Sequence, residues 1–188
     1  MTSKSLTELL AAADARGLAA AGLACLDRCL PLLTQDDEAL RPLWAGLARG
    51  EEGWTAELAA ARRALEDTAL DDEDAALVRA MLAAAPSDWD AGALHAWADG
   101  CSATALEVHR RFDIGDCGPE LLARCRDEGA AEGVGPMVAG ELRRQTRILE
   151  IVAEPPGGNG LRRALDVSAE GRRVLQAALS RQARASRA

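Results

Sequence analysis

Apolar residues recur along this chain at intervals of three and four, the period of a helix with one buried face. Most of these stretches open on a capping residue and close on Gly or Pro. Ser5 with Glu8 has capping-box spacing ahead of Leu9 and Leu10. Thr34 to Glu38 offers a cap and an acidic first turn to a helix through Leu40, Leu43, Trp44 and Leu47, and Gly50 breaks it. Glu51 and Glu52 open the next, with Trp54, Leu58, Ala61 and Leu65 on one face. Asp71 with Asp74 caps a helix through Leu77 to Leu82, stopped by Pro86.

Ser87 with Asp90 then starts the most distinctive element. Leu94, Trp97, Cys101, Ala105, Val108 and Phe112 are spaced 3, 4, 4, 3 and 4 apart. This is a seam facing another helix, from the same chain or a second one. Gly100 lies inside it, yet the pattern predicts one long central helix over about 88–112. Pro119 and Pro136 suit first helical positions. The run 155–160, Pro-Pro-Gly-Gly-Asn-Gly, reads as a loop, and a final helix follows from Leu161 to Gln182. The expected fold is an all-α bundle with more than about 60% helix, against the usual third. A short solenoid-like stack is a variant of it. The expected organisation is a helical domain over 1–153, a loop over 154–160, and a C-terminal helix with a basic tail over 161–188 packed on the same domain.

The C-terminal third admits one alternative, two strands near 146–167 flanking the Gly-rich turn. The stretch Leu165 to Leu175 contains Ser168-Ala169-Glu170-Gly171-Arg172-Arg173 and resembles the end of the wing in winged-helix bacterial regulators. That resemblance covers about a dozen common residue types. It implies a transcriptional regulator that binds DNA through its Arg-rich C-terminal region.

Composition narrows the functions. The net charge is −8 and the pI about 4.9, which argues against nonspecific nucleic-acid binding by the whole surface. The charge is unevenly spread. Residues 34–90 hold 14 acidic and 5 basic side chains, net −9, whereas residues 140–188 hold 10 Arg and 5 acidic side chains, net +5. Attraction between the halves, within or between chains, is one consequence. The other is an anionic partner for Arg143, Arg144, Arg147, Arg162 and Arg163.

The five Cys are an odd number, and the longest apolar run near the N-terminus, Leu18 to Leu26, is too short to span a bilayer. The expectation is a cytoplasmic protein with reduced thiols and no membrane association. Cys25, Cys29, Cys117 and Cys125 are the weak candidates for a zinc site, but they lack a C-x-x-C knuckle, so core packing is the favoured reading and no cofactor is expected. Asp71 to Asp74 faintly resembles the Mg²⁺-binding cluster of terpenoid synthases, but a capped helix start explains it. His95, Asp99, Ser102 and His109 share a stripe read as a polar flank of the seam, and the 14 residues between the two His are too many for one metal on a continuous helix. No Ser turn of the G-x-S-x-G kind is present, so no catalytic residues are assigned and an enzyme is disfavoured.

The functional expectation is a nonenzymatic helical interaction or regulatory protein acting through protein–protein contacts, forming a homodimer. Trp97, Cys101, Val108 and Phe112 are the partner-facing candidates. A DNA-binding regulator is the alternative, and a helical sensor of a small molecule or metal the third reading.

Overall fold

The computed structural model describes residues 4–66, 72–115, 117–155 and 159–187. About 77% of the chain is helical, and the described residues contain nine helices and no strand. They are α1 (Leu6–Ala12), α2 (Ala15–Cys29), α3 (Arg41–Ala48), α4 (Glu51–Glu66), α5 (Glu73–Ala83), α6 (Ala91–Arg111), α7 (Pro119–Glu128), α8 (Pro136–Val152) and α9 (Gly160–Ala185).

Local chemistry sets the boundaries. Ser5 and Glu8 form the reciprocal capping box at α1. Asp14, Asp72 and Asp90 each accept backbone N–H bonds at the starts of α2, α5 and α6. Asp72 takes the role expected of Asp71, which lies outside the described residues. Thr34 to Glu38 does not open a helix. The chain turns there and α3 starts at Arg41, where Pro42 fits the first turn and Leu40 at the cap makes no side-chain bond.

The helix over 88–112 corresponds to α6, which passes through Gly100 unbroken. The centre of the molecule is α2 instead. Every residue from Gly17 to Cys29 is buried, because α2 packs against α6 and α9 and also touches α3, α5 and α8. A helix enclosed this way must be small or apolar on all sides, and Ala19, Ala20, Ala21, Gly22, Leu23, Ala24, Cys25 and Leu26 meet that demand. The longest helix is α9, which lies on α2 and α8.

The β-hairpin near 146–167 is not formed. Residues 146–152 belong to α8, and residues 161–167 to α9. The helical spacing of the buried Val138, Leu142 and Leu149 in α8, and of Ala164, Gly171, Leu175 and Ala178 in α9, outweighs the β-branched content on which a hairpin would rest.

Candidate functional site

Two polar arrangements could carry function, one inside the bundle and one on its surface. The inner one is built where α2, α6, α8 and α9 meet. Arg28 and Glu141 are fully buried and form a forked pair, with Arg28 Nε at 2.8 Å from Oε2 and Nη2 at 2.7 Å from Oε1. Gln145 donates to Glu141 at 2.9 Å and to the Ser102 carbonyl at 3.2 Å, while the Ser102 hydroxyl donates to Gln145 Oε1 at 2.5 Å. Arg126 reaches in from α7 to Ser102 at 3.2 Å and also pairs with Asp99. His109 places Nδ1 at 2.7 Å from the Ala105 carbonyl, so that nitrogen carries the proton. Its Nε2 then faces Glu141 Oε2 at 3.5 Å. A second pair, Arg172 to Asp27 at 2.6 Å, fastens α9 to α2 beside this junction.

The surroundings fix the charge states. Burial alone would raise the Glu141 pKa, but the charge of Arg28, then that of His109, and the hydrogen bonds of Arg28 and Gln145 together bring it to about 2. Glu141 in turn holds Arg28 protonated, above its ordinary range although burial opposes it. Burial lowers the pKa of His109, so it is neutral near pH 7. The Cys25 thiol, which accepts from Arg28 at 3.3 Å, is pushed up to about 12 by burial. Burial likewise raises Cys29 and Cys101, so none of these thiols presents a thiolate.

This arrangement has little room for a substrate. The void beside Arg28, Cys25, Ser102 and Gln145 measures about 10 Å³ and is otherwise walled by Leu6, Leu10, Ala21, Ala98, Ile148 and Leu149. That is about the space of one water molecule. The polar side chains satisfy one another in part, with Arg28 Nη1 and His109 Nε2 left without a hydrogen bond, and what they accomplish is to hold four helices in register.

The surface arrangement is a groove of about 420 Å³ between α1, α7 and α8. Leu6, Cys125 and Leu142 line it as buried apolar side chains, and Gly129, Ala130 and Ala131 leave it open by being small. Arg143, Thr146, Arg147 and Glu150 project from successive turns of α8 along it. Arg147 stands 3.6 Å from Glu150, both about half exposed, a pair of little net strength. Arg143 is exposed and has no acidic partner among the described residues.

The other residues singled out from sequence are placed as follows. Trp97, Cys101 and Val108 are buried against the chain's own helices, and Phe112 is partly buried on the same core. A second copy is therefore not what covers them. The zinc candidates do not converge. Cys25 and Cys29 lie in α2 near Cys101, whereas Cys125 neighbours Cys117, and no described group of three or more His, Cys, Asp or Glu is disposed to hold a metal. Ser102 and His109 are not a solvent-facing flank, because α7 and α8 cover them, whereas His95 and Asp99 remain partly exposed. The Arg candidates are divided. Arg144 is mostly buried near Glu170, Arg163 pairs with Glu154, and Arg162 is exposed on α9.

Sequence reasoning missed Arg28, Glu141 and Gln145. The signal was present: Arg28 interrupts the apolar run Leu18 to Leu33, and Glu141 and Gln145 sit in the apolar face of Val138, Leu142 and Leu149. Their pairing across 113 residues had no local trace. Among the described residues no helix is long and apolar enough to cross a membrane. No family model, curated protein or solved structure matches this chain.

Proposed function

We propose that this chain is a nonenzymatic helical interaction or regulatory protein, and that the groove between α1, α7 and α8 is its contact surface. The observation that carries the reading is the contrast of enclosure. The charged side chains with strongly shifted pKa values are shut inside the bundle around a void of about 10 Å³, while an apolar recess of about 420 Å³ edged by Arg143 and Arg147 faces solvent. A recess that takes one or two apolar anchors, with charge at its rim, is the usual anatomy of a binding surface. The winged form of the DNA-binding alternative loses its support with the hairpin, and Arg144 and Arg163 are engaged by acidic neighbours. The homodimer suggested by the charge asymmetry is the self-partnered form of this reading.

A photo-crosslinking side chain introduced at Thr146, inside the groove, is the test, with the same group at Ala59 on the exposed face of α4 as control. In the native cell, position 146 should yield a discrete protein adduct and position 59 none. Adducts from neither position, or from position 59 alone, would reject the reading.

A further inference from the structure

Resting on that reading of the groove, we infer that its occupant is an acidic segment of another protein, with a large apolar side chain seated over Leu6, Cys125 and Leu142 and a carboxylate held by Arg143 and Arg147. Three features point to this chemistry. The first is size. A recess of about 420 Å³ admits side chains but not a whole helix, so the partner must insert an anchor rather than lie down in it. The second is its floor, where Leu6, Cys125 and Leu142 are apolar and Gly129, Ala130 and Ala131 leave space that larger side chains would fill.

The third is charge. Of the three arginines on α8, Arg144 is drawn inward beside Glu170, Arg147 meets Glu150 only at 3.6 Å, and Arg143 has no acidic partner among the described residues. The two guanidiniums one turn apart thus offer donors to a carboxylate without breaking a strong pair. Glu150 closes the far end of the row and disfavours a partner with a long acidic run there. Exposed arginines also line α9, at Arg162, Arg173, Arg181 and Arg184, but on α8 the positive row lies directly beside an apolar floor, so charge and anchor site act together on an acidic segment.

The probe is a short glutamate-rich peptide carrying one Phe, labelled with fluorescein and added to the full chain. Two controls replace its Glu by Lys or its Phe by Ala. Saturable anisotropy is expected for the first peptide only, weakening as salt rises. Amide shifts of the ¹⁵N-labelled protein should cluster at Leu6, Cys125 to Ala131 and Leu142 to Glu150. Arg143→Glu and Arg147→Glu should each weaken binding at least about tenfold. Arg63→Glu, on the exposed face of α4, should leave it within about twofold. Equal binding of the Lys peptide, shifts centred elsewhere, or no saturation by about 1 mM would overturn the inference while leaving the crosslinking result intact. A dimer in sedimentation that Arg143→Glu dissociates would also overturn it, because the groove would then belong to a second copy.

Discussion

The two halves of α6 carry opposite chemistry, the first packed on α2 and the second turned to α8. Its first half is dry. Trp97 lies against Gly22 of α2, where a Cβ would stand 2.5 Å from the indole ring. Trp54 meets Trp97 edge-on at 5.6 Å and Trp89 at 6.2 Å. The indole nitrogens of Trp54 and Trp97 donate to the Pro86 and Met81 carbonyls at 2.9 and 2.8 Å, so these large side chains bury no stranded donor. The second half is polar, with Ser102 and His109 turned to Gln145 and Glu141 of α8. The dry half contributes area and shape. The polar half fixes which residues of α2, α6 and α8 stand opposite one another, because a forked Arg–carboxylate pair fits one register only.

The difference sets an order of sensitivities. Breaking the polar half from one side should have the largest effect. Arg28→Met leaves Glu141 charged and buried, and Glu141→Met leaves Arg28 so. Each single change should cost about 3–5 kcal/mol in urea unfolding, whereas the double variant should recover most of the loss, since apolar side chains replace the pair without stranding a charge. Single variants as stable as the unchanged protein would mean that the pair is of no consequence.

In the dry half, Trp97→Ala should cost a similar or slightly smaller amount, about 3–5 kcal/mol, with no rescue by any charge change. Its loss should be independent of pH, which a denaturation series at pH 5.5 and 7.5 would check. Gly22→Ala should cost about 1–3 kcal/mol, because the new methyl collides with the Trp97 ring, which also packs on Trp54. The same substitution at Gly100, where a Cβ meets nothing within 4 Å, should instead stabilise by about 1 kcal/mol.

The polar half contributes two declines in stability on acidification. The His109 pKa is lowered in the folded chain, so the unfolded state binds the extra proton as pH falls below about 6.5. Stability should therefore be full above that value and decline toward the depressed folded pKa, at no more than about 1.4 kcal/mol per pH unit. Glu141, held at about 2, adds a second decline that begins below about 4.3 and runs down toward pH 2. His109→Gln should flatten the first decline and leave the second in place but reduced, since the His109 charge also helps lower the Glu141 pKa. A decline beginning near 6.5 that survives this substitution would place its source elsewhere.

What was legible in the sequence follows the same division. The cap at Ser5 and the break at Gly50 are local, and so is the seam Leu94 to Val108, which is buried as its spacing implies; at α6 the cap is Asp90 rather than the expected Ser87, and the Asp14 cap of α2 went unread. The identity of the central helix was not legible from periodicity, because α2 is enclosed on all sides and its charges past the first turn, Asp27 and Arg28, are themselves buried. Its Ala and Gly residues read as weak core when each is counted by area, yet they allow α6 and α9 to approach closely. At the surface, Arg143 and Arg147 were visible as a basic stretch. The groove was not, since its floor joins Leu6 of α1 to Cys125 of α7 and Leu142 of α8 across more than a hundred residues.

The central claim is that the buried polar junction is architecture and the groove on the outer side of α8 is where the protein meets its partner. Peptide affinity in the Arg28→Met/Glu141→Met double variant tests it most directly, with helicity and cooperative unfolding checked on the same sample. The account predicts a dissociation constant for the glutamate-rich peptide within about twofold of the unchanged protein. A tenfold or greater loss in a folded double variant would contradict it and return the functional role to Arg28 and Glu141.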